Sequence, residues 1–371
     1  MTNFPKVYPN QDRRRGRRQE VSNDRSLTPP AEVYEMDVFA SPQCVSRKEE
    51  IAVLLDTFVG VAILGPAGSV LIAPPGLPGV GTIPGREATM RFGLNTFVLE
   101  SPFTTASARF LPLIRKMGFD AVEIAYENKG DFDPREMRKK IEDNGLVCSS
   151  VCGAYGDGRD LRGSAAEQKG GLEYIRDCVD VCRQLGAPVF CGPHYSRVGR
   201  SAMETPAARK EQWATVVRNL REAGKYAADA GIALAVEPLN RFESDFLNVT
   251  SEALRLIAEV GSPALKVHVD TFHMNIEEKS MARAVLESGK LLYHVHASEN
   301  DRGAPGTGLI DWKSLKDALV SIGYDHFVVM ESFTPDVEII AKAASIFRTT
   351  EVSTEALCRK GLGYLKALFA D

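Results

Sequence analysis

Four short apolar segments of the chain end on a group that can hold a proton or a cation. The stretches ALAVE, LKVHVD, LLYHVH and FVVME end at Glu237, Asp270, His296 and Glu331. Each has the length and aliphatic content of a buried strand. Three carboxylates and one imidazole form a hard, oxygen-rich donor set that suits Mn²⁺, Mg²⁺ or Co²⁺. Taken singly, a Glu just after a strand is most often a helix cap or a loop charge. Four such residues on four successive strands read differently, because burying three carboxylates together without a cation is very costly.

Groups that could hold a hydroxylated small molecule follow these ends closely. Glu243 lies six residues after Glu237, His273 three after Asp270, and Arg302 six after His296. The bland alternatives are a surface salt bridge for Glu243 and Arg302 and a loop histidine without a role for His273. The segment Gly303-Ala304-Pro305-Gly306-Thr307-Gly308 reads as a tight turn closing over a site rather than as a phosphate cradle.

What must position these groups is a repeated unit of strand and helix. Strand candidates fall at 91–97, 120–125, 146–152, 188–192, 232–237, 264–270, 291–296 and 326–331. Segments of helical period lie at 104–117, 133–144, 164–185, 207–230, 251–260, 279–288, 311–321 and 336–348, and a last one at 354–369. Short apolar strands alternating with helices imply a parallel sheet covered by helices. Eight units over about 280 residues predict a single (β/α)8 barrel, whose chemistry sits at the C-terminal ends of the strands. No Gly-x-Gly-x-x-Gly follows the first strand, which counts against a dinucleotide-binding sheet. Side chains alternate faces along a strand, so His268 shares a face with Asp270, and His294 with His296. His268 and His294 then lie one layer below the mouth, as core histidines that support the layer above, with a hydrogen bond to a metal ligand as the functional form of that role.

Composition narrows the partners. The 371 residues are 44% hydrophobic and 25% charged, with a net charge of -4. No basic excess favours nucleic acid or an anionic membrane; the run Arg13 to Arg18 reads as part of a solvated tail. Seven cysteines with no Cys-x-x-Cys pair suit a reducing cytoplasm, and Cys178 and Cys182, four apart on a helix, read as core. Residues 1–89 stand apart. Residues 1–50 are polar without an apolar period, and 57–85 carry no charge but five prolines. The window 51–73 is long enough to cross a membrane, but Asp56, Pro66 and several glycines make it a poor span. We read 1–89 as a disordered or accessory extension, or Met90 as the natural start, and 90–371 as the catalytic domain.

The region 90–371 resembles the ketose 3-epimerase family, the D-tagatose and D-psicose 3-epimerase group of the xylose isomerase-like barrels. The resemblance rests on Phe92 to Phe97, Glu237 to Glu243, Asp270 to Asn275, His296 to Gly308 and Glu331-Ser332-Phe333. It implies that Glu237, Asp270, His296 and Glu331 bind one divalent ion, Mn²⁺ foremost, with Co²⁺ or Mg²⁺ as alternatives. Glu237 and Glu331 would double as the acid/base pair. His273 and Arg302 would hold the C1–C2 oxygens of a ketose, Glu243 the hydroxyl beside the carbonyl, and Phe97 would pack against the sugar. It also implies a homodimer or homotetramer. The chemistry agrees: inverting C3 of a 2-ketose removes a proton alpha to the carbonyl, and needs one group to take a proton and another to deliver one on the opposite face.

Rivals on the same barrel are an aldose–ketose isomerase of hydroxypyruvate isomerase type and a keto-inositol dehydratase. An endonuclease IV-type repair enzyme would need a trinuclear zinc site, and six histidines with no basic excess argue against it. A non-catalytic sugar-binding barrel has little reason to keep two carboxylates at the reacting carbon.

Overall fold

The computed structural model describes residues 90–370 and, apart from them, a two-residue antiparallel ladder between Ile63–Leu64 and Val70–Leu71. The other features read in residues 1–89 lie outside the described residues. Eight strands follow: β1 (Arg91–Asn95), β2 (Ala121–Tyr126), β3 (Val147–Gly153), β4 (Val189–Gly192), β5 (Ala233–Val236), β6 (Leu265–Asp270), β7 (Leu292–Ala297) and β8 (Phe327–Met330). Each pairs in parallel with the next, and β8 closes onto β1 through Met330 opposite Leu94. This is the closed barrel that the alternation predicts.

The helices are α1 (Leu111–Met117), α2 (Pro134–Asp143), α3 (Ala165–Leu185), α4 (Pro206–Ala230), α5 (Thr250–Val260), α6 (Thr271–Glu277), α7 (Met281–Ser288), α8 (Trp312–Ser321), α9 (Glu338–Ala343) and α10 (Thr354–Ala370). Local chemistry starts and stops them. Ser164 caps α3 in a reciprocal box with Glu167, and Gly186, at a left-handed φ of 76°, ends it. Cys178 and Cys182 face the core from α3, both fully buried.

Three elements differ from expectation; in the first, the helix expected over 104–117 runs as 3-10 over Thr105–Phe110 and is α-helical only from Leu111. The helix expected over 336–348 stops at Ala343, because Ser345 takes a left-handed φ of 58° and turns the chain away. A short helix not expected, α6, begins directly after β6 because the Asp270 side chain accepts from the Phe272 backbone and caps it.

Register sets the layers inside the barrel. Asp270 lies opposite His296, and His296 opposite Val329, one residue before the end of β8. His268 lies opposite His294, one layer down. Two register slips, at Val122/Glu123 against β3 and at Val267/His268 against β7, bring Glu123 opposite Ser150 and His268 opposite His294. Bulges of this kind re-aim side chains near active sites. Among the described residues, no helix is long and apolar enough to cross a membrane.

Candidate active site

The four residues that the sequence picks out meet at the C-terminal mouth of the barrel, and all are buried. Glu237 follows β5 directly and its N–H donates to the Gly192 carbonyl at 3.1 Å; Glu331 follows β8 and donates to the Ala297 carbonyl at 3.1 Å. Asp270 commits Oδ1 to the α6 cap, which leaves Oδ2 for the mouth. His296 Nδ1 lies 3.2 Å from Glu331 Oε2 and 3.9 Å from Asp270 Oδ2. Asp270, His296 and Glu331 form one set of potential ligand atoms within 4.8 Å of one another, and Glu237 joins such sets with His268 and His296 and with Asp270 and His273.

The donor set fits a divalent cation. His296 Nδ1 is buried and has no hydrogen-bond partner among the described residues. It faces two carboxylates, while Nε2 lies 2.7 Å from Glu123 Oε1. Burial opposes charge on His296, but the carboxylates of Glu123 and Glu331 outweigh it and raise its pKa well above the usual value. The field that holds a proton on that ring is the field that would hold an ion beside it. Burial pushes the Asp270 carboxyl up to about 6, with Arg302 opposing and Glu331 adding to the rise. Burial also raises Glu237 far above the carboxylate range; Glu331 and Asp270 add to the rise, against His296. At Glu331 burial is outweighed by His296 and Arg302, which hold the carboxyl down at about 2. Burial and the surrounding charges together thus shift Glu237 and Glu331 in opposite directions. A cation at the mouth would lower both.

Arg302 is no surface residue. It is buried, and its Nη1 donates to Asp270 Oδ2 at 2.5 Å and to Glu331 Oε2 at 3.0 Å. Its guanidinium lies 4.1 Å from the Phe272 ring centre and 4.8 Å from that of Phe333. The backbone takes a left-handed φ of 63° there, a rare conformation for a residue other than glycine. His273, on α6, accepts at Nδ1 from the Asn240 backbone N–H at 3.2 Å. Its Nε2 lies 3.2 Å from Arg302 Nη2 and 3.7 Å from Glu237 Oε1. Burial, reinforced by Arg302, depresses the His273 pKa, so the ring stays neutral. Asn240 also lies within 2.9 Å of His273 Nδ1 through Nδ2 and donates to Glu243 Oε1 at 2.8 Å, tying the two together. Glu243 is half-buried. Phe97 lies in the 3-10 turn Thr96–Val98 after β1, half-buried against the barrel-lining cluster that contains Cys152 and Cys191.

The layer below partly departs from expectation. His294 Nε2 lies 2.7 Å from Glu123 Oε2, close enough for an ion pair but outside hydrogen-bond geometry, beside a residue that the sequence reading passed over. His268 makes no hydrogen bond to the mouth: its Nδ1 is 3.6 Å from Glu237 Oε2, too long for one, and both ring nitrogens lack partners among the described residues. Glu123 is fully buried in β2; a lone acid inside an otherwise apolar strand was the available signal. Asn95, Asn240 and Glu299 were also missed. Glu299 is fully buried, and its Oε1 accepts from Gly306 N and Trp312 Nε1, both at 2.7 Å. It pins the glycine segment as the tight turn expected.

A family model for the xylose isomerase-like TIM barrel matches residues 111–367. The chain is 31% identical over 278 residues to the L-ribulose 3-epimerase of Mesorhizobium japonicum, covering 74% of this chain and 93% of that protein. It is 33% identical over 272 residues to the ketose 3-epimerase of Arthrobacter globiformis, covering 72% and 93%. The chain belongs to the ketose 3-epimerase family. The crystal structure of D-allulose 3-epimerase from Methylomonas sp. in complex with D-allulose superposes with a TM-score of 0.70 at 29% identity, covering 75% of this chain and 97% of that one. Members of the family are carbohydrate epimerases, a class of isomerase, and this chain is an enzyme of that class.

Proposed function

We propose that this enzyme inverts C3 of a free ketose of the ribulose, psicose, fructose or tagatose type, with one divalent ion held by Glu237, Asp270, His296 and Glu331. Mn²⁺ is the first choice, with Co²⁺ or Mg²⁺ as alternatives. The observation that carries the reading is the convergence of those four side chains, with His296 Nδ1 buried, unpartnered and facing two of the carboxylates. Residues 90–371 are the catalytic unit of this reading, and 1–89 an extension to it. Free, buried thiols among the described residues support a reducing cytoplasm. Assembly as a homodimer or homotetramer belongs to the same reading.

When bound, the ion supplies Lewis-acid polarisation of the sugar oxygens beside the reacting carbon. The chain supplies the proton transfers. Glu237 and Glu331 stand on strands three apart around the rim; one takes the proton from C3 and the other returns one to the opposite face. Each general acid or base step typically contributes about 10²–10⁴-fold. The enediolate left by proton removal faces the Arg302 guanidinium, a preset donor, with the His273 ring beside it at 3.2 Å. Glu243, fixed through Asn240, accepts from a neighbouring hydroxyl. Phe97 gives the sugar an apolar wall, while Phe272 and Phe333 brace the Arg302 plane.

The test is a panel of D-fructose, D-tagatose, D-ribulose and L-ribulose, assayed by sugar chromatography after chelation and re-addition of each metal. Metal-dependent appearance of the C3 epimer is the expected outcome. An aldose product would move the assignment to an aldose–ketose isomerase. Loss of water from a keto-inositol with a new ultraviolet absorbance would move it to a dehydratase.

A further inference from the structure

Beneath the four mouth residues lies Glu123, a carboxylate that touches no solvent. Glu123 Oε1 accepts from Asn95 Nδ2 at 2.7 Å and lies 2.7 Å from His296 Nε2. Its Oε2 accepts from Ser150 Oγ at 2.5 Å and from Cys191 Sγ at 3.3 Å, and His294 Nε2 stands 2.7 Å away. A carboxylate offers about four acceptor positions, so five neighbours leave none for a further ligand. With Nε2 of His296 spent as a donor to Glu123, the ring presents Nδ1 to the mouth in a fixed plane.

Asn95 extends the same support to a second mouth residue. Its Oδ1 accepts from the Phe97 backbone N–H at 2.8 Å, which sets the orientation of the amide. Nδ2 then bridges two carboxylates, Glu123 Oε1 at 2.7 Å and Glu331 Oε1 at 3.1 Å. That contact turns Glu331 Oε2 toward His296 and Arg302. Two of the four mouth residues, His296 and Glu331, therefore hang on one buried bracket.

We propose that Glu123 and Asn95 form a positioning unit that presets His296 and Glu331 for the divalent ion. The proposal rests on the one-ion reading above. Partners behind a metal-bound imidazole fix its tautomer and plane, and their loss typically weakens metal binding by about 10–100-fold. Glu123→Gln keeps the shape but turns part of the acceptor into a donor. Asn95→Ala keeps the Glu123 carboxylate and its contact to His296, takes one donor from it and releases Glu331.

The experiment measures free Mn²⁺ by electron paramagnetic resonance during titration of the metal-stripped full chain, with thermal unfolding of each stripped variant. We expect Glu123→Gln to bind Mn²⁺ about 10–100-fold more weakly, and Asn95→Ala to bind it more weakly by a smaller factor, with kcat falling more than KM rises in both. A folded Glu123→Gln with wild-type Mn²⁺ affinity overturns the proposal. If Glu123→Gln does not fold, Asn95→Ala decides, and unchanged Mn²⁺ affinity there overturns it. Two Mn²⁺ per wild-type chain, the second lost in Cys191→Ser, also overturns it, because Glu123 would then be a ligand. Wild type that binds no divalent ion sinks the one-ion reading itself and this inference with it; normal wild-type binding with normal variant binding sinks the inference alone.

Discussion

Arg302 and Asp270 are bonded at 2.5 Å in a pocket that buries both, and the same Arg302 nitrogen reaches Glu331 at 3.0 Å. The guanidinium and a divalent ion would therefore draw on the same two carboxylates. Arg302 is also the group best placed to meet negative charge on the sugar. Arg302→Gln should raise the ketose KM by about tenfold or more, since a charge-assisted bond contributes about 1.5–3 kcal/mol. Mn²⁺ affinity of the same variant should hold or tighten. Weaker Mn²⁺ binding, measured by titration, would show that Arg302 supports the ligands rather than competing for them.

Glu237 and Glu331 are both needed if protons cross from one face of C3 to the other. Glu237→Gln and Glu331→Gln should each lower kcat by about 10²–10⁴-fold or more, with circular dichroism unchanged. The pair has a finer signature. A variant that keeps one base can still exchange C3–H with deuterated solvent on one face without producing epimer. Near-wild-type turnover in either variant would end the two-base scheme.

The barrel was legible because each strand repeats one device, a short apolar run between helical periods, and all eight strands lie where that pattern put them. The mouth was legible because Glu237, Asp270, His296 and Glu331 occupy equivalent places in successive units. What was lost follows from length and isolation. The α6 helix has seven residues, too few to show a period, and is launched by the Asp270 cap rather than by propensity. Glu123 sits among apolar neighbours in its strand, and nothing in that run names a partner for it. Its contacts come from β1, β3, β4 and β7, and no spacing along the chain encodes them. Asn240 has no local signal of its own; its use as a tie between His273 and Glu243 depends on a fold contact to His273 across 33 residues.

Metal removal should register as stability as well as activity. An ion that binds only the folded chain stabilises it by about 2.7 kcal/mol when present at 100 times its dissociation constant. Excess chelator should abolish turnover and lower the melting temperature by several degrees, and Mn²⁺ should restore both. Restored activity without a shift in melting temperature would argue against ligands drawn from four strands of the core.

His194 offers a pH-dependent test away from the mouth. It is fully buried, with Tyr155 Oη 2.7 Å from Nδ1 and the Phe190 carbonyl 3.1 Å from Nε2, and burial depresses its pKa to about 3. The unfolded chain takes up a proton on this ring below about pH 6.5, while the folded chain does not until about 3. The unfolded state thus binds more protons in that window, so stability is complete above it and falls as pH drops through it. The slope for one such group approaches about 1.4 kcal/mol per pH unit. Urea unfolding at about pH 7.5 and about pH 5 should show a shallower loss in His194→Asn than in wild type. Equal losses would mean that the ring is not held neutral.

Gly306 tests whether the turn over the site must be tight. Its φ is +86°, and a Cβ added there would overlap the Tyr364 ring on α10. Its N–H is also spent on the buried Glu299 carboxylate, so the turn cannot slide outward without breaking that bond. Gly306→Ala should therefore cost about 1–3 kcal/mol from overpacking, with backbone strain in addition. The displaced segment runs back to Arg302 within four residues. The expected result is a lower melting temperature together with a ketose KM raised more than kcat is lowered, because the proposed mechanism has Arg302 binding the sugar rather than moving its proton. A variant with unchanged KM but lower stability would confine the turn to a structural role.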